Sequence, residues 1–428
     1  MRRANSPADA DSIQNLDDDR FPERSKCNCD GPRHTRSRTD RALRPSLMSS
    51  PSRILFLVST LRQSGPTMQL RNVVRHLDRS AFEPIIVTLS TEPADSMLDS
   101  FRELGVRVES LSMSRSRSLV ERRWRPRIER AAGVSLDAGC MLHSQGVRAD
   151  MISARLHGMP RVATVHNYPY DDYPLRFGRL QGSWMAWRHL QAFAALPGLV
   201  ACSASLANEL RRHGLRAAVI RNGVDTARFH AELPSARMRA RARLGLPADA
   251  RVGVCLGSLI PRKNPLAVVR AVVRSELREL AMIFVGGGVL DPGARREAGE
   301  DARIRFVGHC EDVLPYLQVA DFLVSASRSE GLPTAVLEAL SCGLPAVLSD
   351  IEPHREILKL LPGGGELCDP DRDAAFTAAI ERAAGRAGGA REQLAARAGE
   401  TFGAERVSRG YQELYRQALA TQACGDRS

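Results

Sequence analysis

The chain alternates short apolar segments with amphipathic ones, and this alternation begins again in its second half. Residues 53–58 and 84–89 are apolar runs of the length expected for buried strands, and residues 68–77 show helical spacing. A second series opens at residues 252–256 and continues at residues 282–285. Short apolar strands that alternate with helices form parallel sheets covered on both faces. The sequence therefore predicts an α/β protein with two doubly wound domains.

The same pattern predicts the remaining elements of both series. Further strands are expected at residues 106–108, 162–165, 199–202, 218–220, 304–307, 322–324 and 346–348, and a further helix at residues 204–213. In open parallel sheets, ligands bind at the carboxyl ends of the strands. The cleft between the two domains is therefore the predicted site.

Changes in composition suggest the domain boundaries. Residues 1–50 are rich in Arg, Asp, Ser and Pro and predict a disordered tail, and Met48 is a candidate start of the native chain. The first domain is expected over residues 51–225 and the second over residues 226–403, with a linker near their junction. A terminal helix is expected over residues 404–420.

Composition narrows the classes of function. The net charge is +12, but only three of the 61 basic residues are lysines and aromatic residues make up 5%, so we expect no nucleic-acid partner. No run approaches the roughly 18 apolar residues of a membrane span, and residues 1–47 lack the apolar core of a signal peptide. Nine cysteines without metal-ligand spacing favour a reduced, cytoplasmic protein with no metal site.

The most specific motif follows the predicted strand at residues 322–324. Gly331 permits a tight turn there, and Pro333 suits the first turn of a following helix. Free amides at a helix start bind phosphate, and here they belong to Gly331, Leu332, Thr334 and Ala335. Glu330 and Glu338 can accept hydrogen bonds from sugar hydroxyls. The pattern predicts a sugar-nucleotide site; the alternative is a pair of ordinary helix acids.

Glu330 and Glu338, with seven residues between them, resemble the E-x7-E motif of the family 4 glycosyltransferases. That resemblance implies a retaining enzyme with the GT-B fold, in which two Rossmann-like domains face an inter-domain cleft. It implies that Glu338 binds the ribose hydroxyls of the donor and that Glu330 contacts the transferred sugar. It also implies an acceptor-binding first domain, a donor-binding second domain and a terminal helix that crosses back onto the first.

A second motif places two adjacent cations in a turn after the strand at residues 252–256. Arg262 and Lys263 can clamp a diphosphate and stabilise its departure, and an exposed basic turn is the simpler alternative. Residues 256–264 resemble the G-R-L-x-x-x-K-[GN] motif of the same family, with Lys263 as the family lysine and Ser258 in place of the family arginine. Arg262 is expected to supply the missing charge. The resemblance implies a nucleotide-sugar co-substrate, with no other cofactor and no required metal.

The first domain carries weaker signals. Gly65 lies between a strand and a helix, where the family has a glycine-rich loop facing the donor, and a plain turn capped by Thr67 is the alternative. His166 ends a predicted strand and matches the family histidine at the cleft, which implies contact with the transferred sugar; a structural histidine is the alternative. Asn222 and Gly223 resemble the family's domain junction and predict a tight turn with positive φ.

Positive charge is concentrated in residues 115–130, where seven arginines stand against two glutamates and Trp124 and Ile128 interleave with them. A basic segment with an interfacial tryptophan is typical of binding to an anionic membrane, and a solvated charged face is the alternative. The segment lies in the domain expected to bind the acceptor, and many relatives use lipid-linked acceptors. We therefore expect a cytoplasmic protein with peripheral contact at the inner face of a membrane.

Together the motifs predict sugar transfer from a nucleotide-sugar donor to a lipid-linked or glycan acceptor, with retention of configuration. One alternative is an epimerase that acts on the sugar nucleotide without an acceptor, and another is a catalytically silent scaffold in a polysaccharide assembly complex. Glu330 and His166 are the expected catalytic residues. The expected donor-binding residues are Gly65, Arg262, Lys263, Gly331, Leu332, Thr334 and Glu338.

Overall fold

The computed structural model describes residues 51–114, 123–137, 139–247, 249–386 and 391–425. Within these residues it contains two all-parallel β-sheets, so the predicted pair of doubly wound α/β domains is confirmed. The tail predicted at residues 1–50 lies outside the described residues.

The first sheet has seven strands among the described residues, in the order β3-β2-β1-β4-β5-β6-β7. In chain order these strands are β1 Ser52–Val58, β2 Phe82–Thr88, β3 Arg107–Ser110, β4 Cys140–Gln145, β5 Arg161–Val165, β6 Gly198–Ala201 and β7 Ala218–Val219. The chain order reverses between β1 and β4. The crevice at the carboxyl ends of these two strands is therefore the switch point of the sheet.

Helices connect the strands of this first sheet. They are α1 Gly65–Arg75, α2 Leu98–Glu103, α3 Trp124–Ala132, α4 Val147–Ser153, α5 Pro169–Phe177, α6 Arg179–Ala194 and α7 Ala204–Arg212. Ser64 caps α1, since its hydroxyl accepts from the amide of Thr67, and Pro66 stands in the first turn. The cap expected at Thr67 is therefore wrong, since Ser64 occupies the capping position three residues earlier. The Thr67 hydroxyl donates instead to the carbonyl of Arg62 at 2.7 Å.

The second sheet repeats this plan with six strands among the described residues, in the order β10-β9-β8-β11-β12-β13. Its strands are β8 Arg251–Leu256, β9 Leu280–Val285, β10 Ile304–Gly308, β11 Phe322–Ser325, β12 Ala346–Ser349 and β13 Gly365–Cys368. The switch point lies between β8 and β11, the strands that precede the two motifs of the second domain.

The remaining elements begin at the junction between the sheets. They are α8 Pro234–Arg243, a 3-10 turn at Pro261–Lys263, α9 Pro265–Arg274, α10 Asp291–Ala298, α11 Leu314–Val319, α12 Thr334–Ser341, α13 Glu352–Leu360, α14 Asp373–Gly385, α15 Arg391–Phe402 and α16 Ala404–Gly425.

Both faces of each sheet are buried. In β1, Ile54 and Phe56 pack into one apolar cluster, whereas Leu55 and Leu57 pack into another. Because successive side chains of a strand point to opposite faces, a strand buried on both sides requires at every position an apolar side chain or a polar one whose hydrogen bonds are satisfied. This requirement explains why the continuous apolar runs predicted strands correctly.

Two strands, β4 and β13, have no continuous apolar run in the sequence. Half of β4 is polar, yet all six of its residues are buried. The imidazole of His143 on β4 is satisfied from distant parts of the chain, since its Nδ1 lies 2.7 Å from the hydroxyl of Tyr415 and its Nε2 lies 2.8 Å from that of Thr164. The other strand, β13, is a partly exposed edge strand of four residues that forms no apolar run.

The junction between the sheets differs from an open linker. It contains α8, whose Arg241 is buried and lies 2.6 Å from the carboxylate of Asp321. The positive φ predicted at Gly223 is wrong. This residue is required for close approach instead, because a Cβ there would lie 2.6 Å from the side chain of Val407 and 3.1 Å from the Cα of Ala404.

The terminal helix α16 packs on the first domain. The hydroxyl of Tyr411 lies 2.9 Å from that of Thr164, and the Ser408 hydroxyl donates to the carbonyl of Val73 at 2.8 Å. Tyr415 is fully buried beside β4. The second half of the chain therefore supplies part of the core of the first domain.

Candidate functional site

The first motif lies at the carboxyl end of β11, where the loop before α12 turns into the cleft. Gly331 and Leu332 are buried, and Pro333 caps the helix with extended backbone angles. Thr334 is the first helical residue, and the carbonyl of Pro333 accepts the amide of Val336 at 3.1 Å. The amides before Val336 precede the first intrahelical bond. A helix start of this kind can bind an anion.

Glu330 is held by both cations of the second motif. Its carboxylate lies 2.5 Å from the Lys263 ammonium and 2.9 Å from the Arg262 guanidinium, and its side chain is only 5% exposed. Burial raises the pKa of Glu330, but the charges of Lys263 and Arg262 outweigh burial and lower that pKa to about 2. The three groups together carry a net positive charge beside the start of α12.

A chain of hydroxyls supports Glu330 from behind. The hydroxyl of Ser327 donates to Glu330 at 2.7 Å, and the hydroxyl of Ser349 fixes the carbonyl of Ser327 at 2.5 Å. The buried imidazole of His354 donates in turn to the carbonyl of Ser349 at 2.8 Å. The carboxylate is therefore oriented by the protein rather than by solvent.

Glu338 has a different environment from Glu330. It lines a small cleft between the domains, which is bordered by Gln69, Arg71, Asn72 and Arg228 among others. Burial raises the pKa of Glu338 to about 7, and the charge of Arg228 offsets only part of that effect. A half-buried carboxyl of this kind can accept hydrogen bonds from ligand hydroxyls.

His166 follows β5 and reaches the site from the first domain. Burial lowers its pKa to about 4, so its ring is neutral at neutral pH. Its Nε2 lies 3.3 Å from Oε1 of Gln145. The carbonyl of His166 is in direct contact with the first motif, because a Cβ added to Gly331 would lie 1.7 Å from it.

Gly65 also faces the first motif. A Cβ added there would lie 3.6 Å from the Thr334 hydroxyl. The start of α1 and the start of α12 therefore meet across the cleft, as do His166 and Gly331. The structure thus brings most of the predicted residues of both domains to one place, with Glu338 one to two helical turns further along α12.

Glycines position the turn that carries the second motif. A Cβ on Gly286 would lie 2.0 Å from the carbonyl of Gly257, and one on Gly288 would lie 2.4 Å from the carbonyl of Leu259. The side chain of Lys263 lies beside Gly257, because a Cβ added to Gly257 would be 3.9 Å from the Lys263 ammonium. Close packing of two loops therefore explains Gly286 and Gly288.

The structure adds residues that the motifs did not indicate. Asp171 on α5 accepts from the hydroxyl of Ser329 at 2.7 Å, and Asp172 lies 3.7 Å from the guanidinium of Arg262. These contacts join α5 of the first domain to the residue next to Glu330. In the sequence, Asp171 and Asp172 are recognisable only as two adjacent acids in the first turn of a helix. Such acids are common at helix starts, so they do not by themselves indicate a site.

The basic segment at residues 115–130 is only partly described, since residues 115–122 lie outside the described residues. The role expected for Trp124 is wrong. Trp124 is 3% exposed and packs with Ile128 in an apolar cluster of the first domain. A side chain that fills the protein core is unavailable to a membrane interface.

Two further findings apply to the described residues alone. No group of three or more His, Cys, Asp or Glu side chains among them is arranged to hold a metal ion. None of the helices that they form combines the length and the apolar content needed to cross a bilayer.

Comparison with known proteins identifies relatives of both domains. Residues 64–228 match the family model described as Glycosyltransferase Family 4, and residues 250–385 match the one described as Glycosyl transferases group 1. The chain is 28% identical over 228 residues to the UDP-Gal:alpha-D-GlcNAc-diphosphoundecaprenol alpha-1,3-galactosyltransferase of Escherichia coli, an alignment that covers 49% of this chain and 56% of that protein. The chain spans about half the length of the curated relatives it matches.

Solved structures superpose on most of the chain. A sucrose-phosphate synthase from Thermosynechococcus elongatus superposes with a TM-score of 0.70 at 19% identity, over 86% of this chain and 100% of that one. Anabaena HepE in complex with UDP-glucose superposes with a TM-score of 0.68 at 18% identity, over 85% of this chain and 99% of that one. At these identities the likeness establishes the fold.

Proposed function

We propose that this chain, which belongs to the family 4 glycosyltransferases and has the GT-B fold, transfers a sugar from a nucleotide-sugar donor to an acceptor hydroxyl with retention of configuration. The observation that carries the proposal is the pairing of Glu330 with Arg262 and Lys263 beside the start of α12. This arrangement combines positive charge, free amides and a fixed carboxylate, which are the groups that a sugar diphosphate requires.

The donor diphosphate would lie between the start of α12 and the second motif. The amides of Thr334 and Ala335, together with Arg262 and Lys263, would neutralise the charge that develops on the leaving diphosphate. These cations supply the positive charge that a metal ion would otherwise provide, so the reaction as proposed requires no metal. Gly65 leaves room on the opposite wall, and Glu338 would bind the ribose hydroxyls.

Retention follows if the acceptor attacks from the face that the diphosphate leaves. In this step the bond from the anomeric carbon to the phosphate oxygen breaks and a bond to the acceptor oxygen forms on the same face. The acceptor proton passes to the departing phosphate oxygen. Glu330 would orient the transferred sugar, because its three partners fix it in place, and the neutral His166 would contact the same sugar from the first domain.

A lipid-linked acceptor is the proposed second substrate. The relative from Escherichia coli is named for an acceptor carried on diphosphoundecaprenol, and it aligns over about half of each chain. The acceptor would enter from the first domain, where α5 meets Ser329 and Arg262.

Substitution of the two motifs tests the proposal. We expect Lys263→Ala and Glu330→Ala to lose at least about 100-fold in transfer, because each removes a group that acts on the transition state. Calorimetry of the wild-type chain with UDP-, GDP- and ADP-sugars should find a donor, and product analysis should find the sugar on the acceptor. Lys359→Ala, at an exposed position of α13, is the matched control and should transfer normally.

Circular dichroism and thermal unfolding should show that the inactive variants remain folded. Transfer at wild-type rates by both site variants would refute the assignment of the site. Free sugar or an epimer formed without acceptor would instead indicate the epimerase, and absence of binding to any nucleotide sugar would indicate the scaffold.

A further inference from the structure

Apolar side chains are exposed on the pair of helices α5 and α6 in the first domain. Leu180 is 91% exposed, Leu175 is 61% exposed, and Trp184 and Trp187 are 59% and 49% exposed. Large exposed residues that occur singly need no explanation, but four of them on adjacent helical turns form a patch. We call these four residues the α5–α6 patch.

Three of the four patch residues share one face of α6. Leu180, Trp184 and Trp187 are spaced by four and three residues, so they lie on the same side of α6. The opposite side of α6 is packed into the domain, where Ala186 and Phe193 are buried. The helix therefore has two apolar faces, and only one of them is covered within the described residues.

The helix pair is firmly held. Gly182 allows α6 to lie against the backbone of α5, because a Cβ there would be 2.4 Å from the carbonyl of Tyr173. The buried imidazole of His189 lies 2.9 Å from Asp150 and 2.6 Å from the hydroxyl of Tyr173. The patch is thus presented by a fixed support rather than by a loose loop.

The charge around the patch is positive. Helix α6 contains no acidic residue, and Arg188 lies over the ring of Trp184 at 5.5 Å. Arg176 and Arg179 are exposed and are the chain neighbours of Leu175 and Leu180. The two acids of α5 contact residues of the second domain instead, as described for Ser329 and Arg262. Tryptophan and leucine beside arginine complement an anionic lipid surface.

We propose that the α5–α6 patch docks the protein on an anionic lipid bilayer. This inference deepens the proposed function, since the same helix pair reaches the residue beside Glu330 and would place the cleft next to a membrane that carries the acceptor. It differs from the surface expected at residues 115–130, whose tryptophan is buried.

Tryptophan fluorescence of the full chain tests this proposal. The chain has three tryptophans, of which Trp124 is buried and the other two belong to the patch. We expect vesicles that contain phosphatidylglycerol to shift the emission to shorter wavelength and to sediment the protein. Neutral phosphatidylcholine vesicles should do so at least about tenfold more weakly.

Substitution of the patch identifies the surface. A double variant that carries Trp184→Gln and Trp187→Gln should bind phosphatidylglycerol vesicles at least about tenfold more weakly than wild type. The matched control is Leu233→Gln with Met238→Gln, which removes two side chains of about 70% exposure near and on α8 and should bind as wild type. Donor affinity, measured by calorimetry without vesicles, should be unchanged in the patch variant and in the control variant. A loss of vesicle binding without a loss of donor binding therefore separates the membrane proposal from the proposed function.

Three outcomes would overturn the proposal. Equal binding to both vesicle types, or vesicle binding that survives loss of both patch tryptophans, would exclude this surface as the anionic-membrane site. Self-association that disappears in the patch variant, without vesicle binding in the wild type, would assign the patch to a second copy of the chain.

Discussion

Glu330 and Glu338 belong to one motif, but the fold shifts their pKa values in opposite directions. The pKa of Glu330 falls to about 2 because Lys263 and Arg262 outweigh burial, whereas the pKa of Glu338 rises to about 7 because burial dominates. Glu330 therefore keeps its charge throughout the physiological range. Glu338 gains or loses a proton within it, so donor affinity and stability should both depend on pH at this residue.

The first prediction at the residue scale concerns Glu338→Gln. A carboxyl whose folded pKa lies above its unfolded value of 4.5 stabilises the fold below that value, and this contribution is lost as the pH rises through about 7. We therefore expect Glu338→Gln to be more stable than wild type by about 1 to 3 kcal/mol at about pH 8, with no gain near pH 4. Thermal unfolding at both pH values measures the difference.

The matched control is Glu405→Gln, because the Glu405 side chain is 68% exposed. The stability of this variant should lie within about 0.5 kcal/mol of wild type at both pH values. Donor affinity of Glu338→Gln should fall, since a neutral amide is a poorer acceptor for ribose hydroxyls. A stability difference that is the same at both pH values would contradict the proposed ionisation.

At the scale of elements, the loop before α12 is fixed from several sides. Gly331 packs directly against the carbonyl of His166, and the side-chain amide of Asn222 donates to the carbonyl of Leu332 at 2.7 Å. The loop therefore depends on the end of β5 and on the domain junction for its position. The start of α12 can bind an anion only where these contacts hold it.

We accordingly expect Gly331→Ala to damage both stability and donor binding. The added methyl group would overlap the carbonyl of His166, which belongs to the backbone and cannot rotate away. Overpacking of this kind costs about 1 to 3 kcal/mol, measured by urea unfolding. Donor affinity should fall at least about tenfold as the loop moves, since about 1.4 kcal/mol corresponds to that factor.

Gly385→Ala provides the comparison, because no atom lies within 4 Å of a Cβ at that position in α14. That variant should be neutral or more stable by about 0.5 to 1 kcal/mol, since alanine favours a helix. If Gly331→Ala binds donor as tightly as wild type, the loop does not depend on the contact with His166.

At the scale of the whole molecule, Glu356 joins the two domains. From α13 of the second domain it accepts the amides of Ala204 and Ser205 at 2.9 and 3.0 Å, and it lies 2.7 Å from the guanidinium of Arg221. The carboxylate thus neutralises the positive start of α7 and is 10% exposed. This contact holds the cleft in the arrangement described above.

Glu356→Ala should weaken that arrangement. Loss of charge-assisted hydrogen bonds costs about 1.5 to 3 kcal/mol, so we expect a larger radius of gyration in small-angle scattering and at least about tenfold slower transfer. Glu352→Ala is the matched control on the same helix, because Glu352 is 69% exposed and pairs with the nearby Arg355. An unchanged radius of gyration in Glu356→Ala would show that this contact does not control closure.

The sequence was sufficient for most of the fold, and it indicated most of the residues that the structure brings together at the candidate site. Apolar runs predicted the strands that are buried on both faces, and the spacing of Glu330 and Glu338 indicated the family. The sequence did not predict β4, because polar side chains can form a buried strand only when distant residues such as Tyr415 supply their hydrogen-bond partners. No local pattern contains that information.

What the sequence determined by itself is the order of elements and the chemical groups available, since both follow from local periodicity and residue type. The tertiary structure alone decided how those groups act. It paired Glu330 with two cations, left Glu338 half-buried in a cleft, buried Trp124, and exposed Trp184 and Trp187. Charge state and exposure depend on neighbours that are remote in the chain, so they are properties of the folded molecule.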